Sequence, residues 1–166
     1  LGYYPEVILA GRRINDSMHK YVLSIITLAL NQAKKSLKDS KILVLGLSFK
    51  ENLKDYRNSR VKNLIEELKE MGAELTLVDP LLDNEDVERE FGLKNTSLNN
   101  VEKFDAIILA VKHDSFKVLT LDKIKDIMID QPILIDIKNF YDRTTAINLG
   151  FIYYSLWFCT LVDFIC

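Results

Sequence analysis

Short, continuously apolar segments alternate with segments of helical periodicity over most of this chain, and that alternation limits its fold more than any other feature. The clearest helical pattern, at 58–71, has apolar residues three and four apart and is followed by Gly72, a common helix stop. Strands that alternate with helices pair in parallel through right-handed crossovers, and continuously apolar strands indicate a sheet covered on both faces. The sequence therefore predicts an α/β fold, a Rossmann-like parallel sheet with helices on both faces. The predicted strands are 41–46, 74–79, 105–111, 133–137 and 151–156, with a short helix and loop in 83–100 and a helix within 114–128.

One long helix is predicted to precede the sheet, over residues 5–37. Pro5 suits the first helical position, and apolar residues recur at spacings of three and four from Ile14 to Ala33. Such a helix is about 50 Å long at 1.5 Å per residue, which is long for a helix on a small domain. Two interpretations stay open. The helix faces the core of its own domain, or, as its length and apolar breadth favour, it connects domains or packs against a second subunit.

Composition excludes several classes of protein. The chain has 166 residues, 48% of them hydrophobic, which is enough for one domain with a proper core. Its net charge of −2 shows no basic excess, so we expect no nucleic-acid partner. No apolar stretch reaches the length of a membrane-spanning helix, so we expect no membrane partner. Cys159 and Cys166 are too few and too close together for a disulfide framework, which favours a reducing compartment such as the cytoplasm.

The segment GLSFKENLKDYRNS at 46–59 follows the first predicted strand, where open α/β sheets bind their ligands. Only Gly46 of the dinucleotide pattern G-x-G-x-x-G is present, because Ser48 and Glu51 occupy the other two glycine positions. The close approach of backbone to pyrophosphate that those glycines permit is therefore not available. Asp79 ends the second strand, where a ribose-binding acid would lie. We interpret it as a turn residue before Pro80 and predict no dinucleotide site.

Side chains, rather than backbone, could hold an anion at this turn. Lys50 is a point charge suited to a diphosphate, and Arg57 offers a planar fork that Asp55 could orient. The segments 111–115 and 138–143 leave the same edge of the predicted sheet. A solvated, charged loop is the alternative and stays open. The basic groups expected to converge on this rim are Lys50, Arg57, Lys112, His113 and Lys138.

The two histidines predict no catalytic or metal site. His113 has no cysteine or acidic cluster at ligand spacing, so we interpret it as a polar residue at a strand end. His19, on the long helix, is interpreted as a surface residue. No credible pair of nucleophile and base is present in the sequence.

Five segments of the chain carry a resemblance to a known family. They are GYYPEVILAGRRINDSM (2–18), VLGLSFKENLKDYRNS (44–59), VDP (78–80), AVKHDSF (110–116) and LIDIKNFYD (134–142). Together, in this order, they resemble the C-terminal half of a nucleotide-sugar 6-dehydrogenase. This is the family of UDP-glucose dehydrogenase and of the UDP-N-acetylhexosamine and UDP-N-acetylmannosamine dehydrogenases. The pattern G-L-x-F-K-x-N-x-x-D-x-R-x-S is the most specific part of the resemblance, and the first segment is most similar to the bacterial branch that oxidises UDP-GlcNAc or UDP-GalNAc for surface polysaccharides.

The resemblance implies a division of the chain into a connecting and dimerisation helix at 1–38 and a UDP-sugar-binding, Rossmann-like domain at 39–166. A homodimer through the 5–37 helix is expected. In the family, an NAD-binding domain and a catalytic cysteine precede the long helix, and the enzyme oxidises the C6 alcohol of the sugar to a uronate. We expect both to lie outside this chain, which alone should be inactive and bind no NAD. A non-catalytic dimerising or regulatory module is the alternative.

The resemblance also implies roles for individual residues. Phe49 and Lys50 match the family's Phe-Lys pair, in which the lysine reaches the nucleotide sugar and the backbone near the phenylalanine contacts it. Arg57 matches the arginine of D-x-R and could brace the loop, and Lys138 matches a basic residue that approaches the substrate. Asn15 is expected to be structural. Whether the sugar nucleotide is UDP-GlcNAc, UDP-GalNAc, UDP-ManNAc or UDP-glucose stays open, as does the role of the apolar tail at 156–166.

Overall fold

Five parallel strands form the centre of the protein, whose structure is a computed structural model that describes residues 6–57, 59–98 and 102–156. The spatial order, by number along the chain, is 2-1-3-4-5, and every neighbouring pair is parallel. The predicted α/β fold is confirmed. Each predicted strand is present with ends within two residues of those expected, except that β4 begins five residues earlier. The strands are β1 (Lys41–Leu45), β2 (Glu74–Val78), β3 (Phe104–Leu109), β4 (Met128–Asp136) and β5 (Ile152–Ser155).

Helices cover both faces of the sheet. The predicted helix within 114–128 is two elements, a 3₁₀ helix at Asp114–Val118 and a helix that begins after Thr120, whose side chain accepts a hydrogen bond from Lys123 N. The sequence analysis missed the helix at Arg143–Asn148, because six residues are too few to show a period. The α-helices are α1 (Glu6–Gln32), α2 (Val61–Glu70), α3 (Asn84–Phe91), α4 (Leu121–Asp126) and α5 (Arg143–Asn148).

Successive residues of each central strand enter opposite halves of the core, as strand geometry requires. In β1, Ile42 and Val44 pack into the cluster beneath α1, α2 and α3. Leu43 and Leu45 pack into the cluster on the other face, with residues of α4 and α5. All four side chains are at most 1% exposed. Both faces of the sheet are therefore covered, which explains the continuously apolar strands.

Helix α1 is shorter than the predicted 5–37. Its 27 residues span about 40 Å. It ends at Gln32 because Lys34 adopts a left-handed backbone conformation, with φ 56°, that an α-helix cannot contain. Pro5 and the segment after Leu156, including Cys159 and Cys166, lie outside the described residues. None of the helices in the described part of the chain is long and apolar enough to cross a membrane.

The two sides of α1 differ. Its inner side, including Val22, Ile26 and Leu30, is buried in the chain's own core, so the core-facing interpretation is confirmed for that side. Ile14, which the apolar stripe placed on the same side, is instead 63% exposed. Tyr21 and Leu28 follow it at intervals of seven residues and are 50% and 49% exposed. We call Ile14, Tyr21 and Leu28 the outer stripe of α1.

His19 is not a surface residue, contrary to the prediction. Its side chain is 10% exposed and its Nε2 lies 3.3 Å from Oε1 of Glu67, on α2. Asp16 makes a second contact of the same kind with Arg60, directly before α2. Polar pairs therefore hold α1 against α2, alongside the apolar core.

Candidate functional site

The strand order creates a switch point between β1 and β3, because the chain runs from β1 to one side of the sheet and later returns on the other. Ligands of open α/β sheets bind at such points, beyond the carboxyl ends of the strands. The loops after β1 and β3 begin there, and the loop after β4 is next to them. The prediction that these three loops leave one edge of the sheet is confirmed.

The turn after β1 is closed by a carboxylate of the protein itself. Gly46 has φ 83°, and its N–H donates to Val78 O at 2.9 Å. The next two amides, Leu47 N and Ser48 N, donate to Oδ2 of Asp79 at 2.7 and 3.1 Å. In dinucleotide folds, amides of this turn face a pyrophosphate. Here these two amides are already occupied.

Asp79 is a turn residue, as predicted, and also joins two loops. It is 2% exposed, and its Oδ1 accepts a hydrogen bond from Leu81 N at 2.9 Å. Burial alone would raise the pKa of this carboxyl, but hydrogen bonds from His113 and from the backbone of Leu47 and Leu81 lower it below its ordinary value. Asp79 is therefore ionised at neutral pH and acts as the fixed anion of this turn.

His113 follows β3, which confirms its interpretation as a polar residue at a strand end. It points into the protein, however, so it does not join the basic rim. It is 0% exposed. Its Nε2 lies 3.1 Å from both Asp79 Oδ2 and Ser48 Oγ, and its Nδ1 lies 3.0 Å from Asn52 N. Lone residues in a sequence do not show such contacts, because their partners are far away in the chain.

The group Ser48, His113 and Asp79 has the residue types of a hydrolytic triad but not its geometry. A triad uses one imidazole nitrogen for the serine and the other for the carboxylate, whereas here both oxygens lie against Nε2. The Ser48 hydroxyl donates to Lys50 O at 3.0 Å, and Ser48 is 1% exposed. This group is structural rather than nucleophilic. The described residues also contain no cluster of three or more metal-ligating side chains.

Phe49 and Lys50 project from the loop after β1. Phe49 is 59% exposed although its backbone is held, since its N–H donates to Asp55 O at 2.7 Å. Lys50 is exposed, and its ammonium group has no hydrogen-bond or ion-pair partner among residues 6–57, 59–98 and 102–156. An ordered backbone thus presents an aromatic ring and a free positive charge to solvent.

Arg57 is oriented by Asp55, as predicted. Its Nε and Nη2 donate to the two carboxylate oxygens at 2.9 Å each, and its backbone N–H donates to Oδ1 at 3.0 Å. These hydrogen bonds lower the pKa of Asp55 to about 2. Because the fork of Arg57 is already occupied by a carboxylate, the geometry fits a residue that braces the loop.

Lys138 lies on a loop organised by a second buried carboxylate, Asp136, which the sequence analysis missed. Asp136 is 0% exposed, and its Oδ2 accepts hydrogen bonds from Phe140 N, Tyr141 N and Tyr153 Oη at 2.7, 2.9 and 2.8 Å. Lys138 N donates to Oδ1 at 3.2 Å, while the Lys138 side chain is exposed. Burial, together with the charge of Asp136, raises the pKa of both tyrosines. The sequence feature that could have predicted this buried carboxylate is an acidic residue at the end of the apolar run ILID.

An open cleft of about 800 Å³ lies between these loops. Of the residues predicted for this site, Lys112 lines the cleft. The others do not: Phe49, Lys50, Arg57, His113 and Lys138. Lys50 and Lys138 each immediately precede a lining residue in the sequence. The charge of the lining is mixed, with polar groups from all three loops and aromatic rings from the loop after β4. Among the lining residues are Glu51, Asn52, Lys112, Lys117, Asn139 and Phe140.

Comparison with known proteins gives a consistent result. Residues 43–143 match the UDP-binding domain of the UDP-glucose/GDP-mannose dehydrogenase family. UDP-N-acetyl-D-glucosamine 6-dehydrogenase of Salmonella typhi is 39% identical over 138 residues, which are 83% of this chain and 32% of that protein. UDP-N-acetyl-D-mannosamine dehydrogenase of Methanococcus maripaludis is 31% identical over 149 residues, 88% of this chain and 33% of the relative. The chain thus spans about a third of the length of the curated relatives it matches.

Solved structures show the same fold. The NDP-N-acetyl-D-galactosaminuronic acid dehydrogenase of Methanosarcina mazei matches 93% of this chain and 33% of its own, with a TM-score of 0.81 and 24% identity. A UDP-D-ManNAc dehydrogenase of Pyrococcus horikoshii matches 92% of this chain and 34% of its own, with a TM-score of 0.76 and 28% identity. The agreement extends over nearly the whole chain.

Proposed function

Because the chain belongs to the UDP-glucose/GDP-mannose dehydrogenase family and carries its UDP-binding domain at residues 43–143, we propose that it binds the UDP portion of a UDP-sugar. The observation that carries the proposal is the loop at 48–57. Its backbone is held by buried partners, and its Lys50 ammonium group is exposed and has no partner in the described part of the chain. An ammonium group presented on an ordered loop suits a diphosphate.

The four predicted site residues then have distinct roles. Lys50 neutralises the diphosphate, and the exposed ring of Phe49 offers an apolar face to the uracil ring. Lys138 adds positive charge from the neighbouring loop. Arg57 braces the loop through Asp55 and does not itself bind the phosphates, since its fork is occupied.

In the whole protein, this domain serves an NAD-dependent 6-dehydrogenase in the cytoplasm that oxidises the C6 alcohol of the sugar to a uronate for surface polysaccharide synthesis. Two relatives, 39% and 36% identical to this chain, are named as UDP-N-acetyl-D-glucosamine 6-dehydrogenases, and they support the proposed oxidation. UDP-GlcNAc is accordingly the first substrate to test. Ser48, the hydroxyl that lies beside His113, is buried and donates its proton to Lys50 O, so the chain by itself is proposed to be inactive. Because Asp79 occupies the Leu47 and Ser48 amides of the turn after β1, the chain is also proposed to bind no NAD.

Calorimetric titration tests this proposal, and Lys50→Ala makes it specific. We expect the chain to bind UDP and not NAD. Loss of Lys50 should weaken UDP binding by about 1.5–3 kcal/mol, the scale of a hydrogen bond to a charged group. Titrating wild type and variant with UDP at two salt concentrations measures this loss and shows whether it is electrostatic.

Lys103→Ala is the matched control. Lys103 is also exposed, but it directly precedes β3 and so lies at the opposite edge of the sheet. Its removal should leave UDP affinity unchanged. NAD binding, or no UDP binding at millimolar concentration, would contradict the proposed function. Equal UDP affinity of wild type and Lys50→Ala would remove Lys50 from the site.

A homodimer through the outer stripe of α1 is part of the proposal, because Ile14, Tyr21 and Leu28 expose apolar side chains at intervals of seven residues that the chain's own core does not cover. Tyr21→Asp should place a charge in that line and weaken the dimer at least about tenfold, roughly 1.4 kcal/mol. Sedimentation velocity over a range of concentrations measures the change.

Lys20→Asp, on the same helix and also exposed, is the control for an added negative charge and should leave the dimer nearly intact. An unchanged sedimentation coefficient for Tyr21→Asp at every concentration would exclude this stripe as the interface. A non-catalytic dimerising module is the second candidate function, favoured by the same stripe. Dimerisation without any UDP binding would support it over the UDP-sugar site.

A further inference from the structure

We infer that His113 is the positioning residue of the 48–52 segment: a neutral imidazole, protonated on Nε2, sets the place of Lys50. This inference rests on the proposed function for its effect on UDP. The positions of His113, Ser48, Lys50 and Asn52 do not depend on it.

The contacts of His113 determine its tautomer. Asn52 N is a backbone amide and can only donate, so Nδ1, 3.0 Å away, must accept and carry no proton. The single proton of the neutral ring is therefore on Nε2. It points to Asp79 Oδ2 and Ser48 Oγ, both 3.1 Å away. Since the Ser48 hydroxyl proton is donated to Lys50 O, Ser48 Oγ is free to accept from Nε2.

Lys50 lies between the two residues that His113 holds. On one side, Ser48 contacts the imidazole and donates to the Lys50 carbonyl at 3.0 Å. On the other side, Asn52 donates its N–H to the same ring. The backbone of Lys50 is therefore fixed at both ends by opposite edges of one buried side chain.

Asn52 is held by several hydrogen bonds. Its φ is 57°, in the left-handed region that asparagine enters more readily than most non-glycine residues. Besides the bond to His113, Asn52 Nδ2 donates to Asp114 Oδ2 at 2.9 Å, and Asp114 N donates to Asn52 Oδ1 at 2.9 Å. The start of the loop after β3 thus makes three hydrogen bonds with Asn52.

The ring itself has little freedom to move. His113 is 0% exposed, and its centroid is 5.7 Å from that of Phe116. Asp79, which receives the Nε2 proton, is also bound by Leu47 N and Ser48 N. His113 therefore connects the rigid end of β2 to the exposed loop that carries Lys50, and the position of Lys50 depends on the acceptor at Nδ1.

Two substitutions separate the two edges of the ring. In His113→Asn, the amide oxygen stands near the place of Nδ1, so Asn52 N keeps an acceptor while the donor to Asp79 and the ring volume are lost. In His113→Gln, the amide nitrogen stands near the place of Nε2, so the donor to Asp79 is kept and the acceptor for Asn52 is lost. The first variant should be the less stable, and the second the poorer binder.

The experiment measures UDP affinity by calorimetry, stability by urea unfolding and exchange of the Asn52 amide proton by NMR. We expect His113→Gln to bind UDP about tenfold or more weakly with fast Asn52 exchange, and His113→Asn to stay within about threefold of wild type with Asn52 protected. His19→Gln, at the other histidine, should change neither affinity nor Asn52 exchange. Affinity that follows stability instead, with His113→Asn the poorer binder, would overturn the inference.

Two further results of the experiment also test the inference. If neither variant folds, the ¹⁵N shifts of the wild-type imidazole decide, because a protonated Nδ1 would overturn the inference and an unprotonated Nδ1 with protonated Nε2 would support it. If the wild-type chain binds no UDP, the proposed function is overturned, while Asn52 exchange in the two variants still judges whether His113 holds the segment.

Discussion

Replacement of Gly46 by alanine is expected to destabilise the domain by about 2–5 kcal/mol. Its φ of 83° costs an alanine about 1–2 kcal/mol. In addition, a Cβ at this position would lie 2.6 Å from Val111 Cβ and Val111 O, and 2.9 Å from Val111 N. Backbone atoms cannot rotate aside, so β1 and the loop after β3 would have to separate, at about 1–3 kcal/mol. Urea unfolding of wild type and variant measures the loss.

Gly150→Ala is the matched control. Gly150 has φ 89°, but a Cβ there would meet no atom within 4 Å. The free energy of unfolding of that variant should fall only by the cost of the left-handed backbone conformation, about 1–2 kcal/mol. The difference between the two variants isolates the close approach of Gly46 to Val111. Equal losses would show that packing against Val111 does not require the glycine.

Replacement of Asp136 by alanine should cost about 3–5 kcal/mol. The carboxylate is fully buried and accepts hydrogen bonds from Phe140 N, Tyr141 N and Tyr153 Oη through one oxygen. An alanine leaves these donors without a partner, and each unsatisfied buried group costs about 1–3 kcal/mol before water or the loop relaxes. Urea unfolding measures the stability, and UDP titration should show weaker binding because the loop with Lys138 loses its anchor.

Two variants with smaller expected losses of stability test the same hydrogen bonds. Asp136→Asn keeps one acceptor oxygen and should cost about 1–2 kcal/mol, whereas Tyr153→Phe removes a single donor and should cost about 1 kcal/mol. The expected order of stability is therefore wild type, Tyr153→Phe, Asp136→Asn and Asp136→Ala. Stability of Asp136→Ala within about 1 kcal/mol of wild type would show that the loop is held by its other contacts.

The two buried carboxylates give the candidate site a common design. Asp79 accepts hydrogen bonds from backbone N–H groups of the turn before Lys50, and Asp136 accepts them from the loop that carries Lys138. Each occupies backbone donors that would otherwise be free to bind an anion. We therefore expect side chains, rather than these amides, to bind the phosphates of the proposed UDP ligand.

Gly46 illustrates how the same residue supports different interpretations. In the sequence it resembles what is left of a dinucleotide fingerprint, since it follows an apolar strand and begins a turn. In the structure it is needed because Val111 approaches its Cα and because the turn has a positive φ. The glycine serves the packing of β1 against the loop after β3, and its presence says nothing about pyrophosphate.

Helix boundaries show where local patterns stop being informative. Helix α2 was predicted over 58–71 and extends over Val61–Glu70, because its apolar face and Gly72 are local signals. Helix α1 ends at Gln32 instead of 37, although Ala33 continues the pattern and is buried. A residue just after the end of a helix can still be buried and so continue the apolar spacing, although its backbone is no longer helical. A helix predicted from periodicity alone therefore extends too far.

The sequence by itself determined the five strands and the longer helices between them, the parallel sheet and the edge where the candidate site lies, since hydrophobic periodicity and strand ends are encoded by neighbouring residues. Only the tertiary structure decided which polar side chains point inward and what they bind. The contacts of Asp79 with Leu47 and His113 join residues 32 and 34 positions apart, and that of Asp136 with Tyr153 joins residues 17 apart. Such partners meet only when the sheet forms, because the crossovers bring together loops that no local pattern connects.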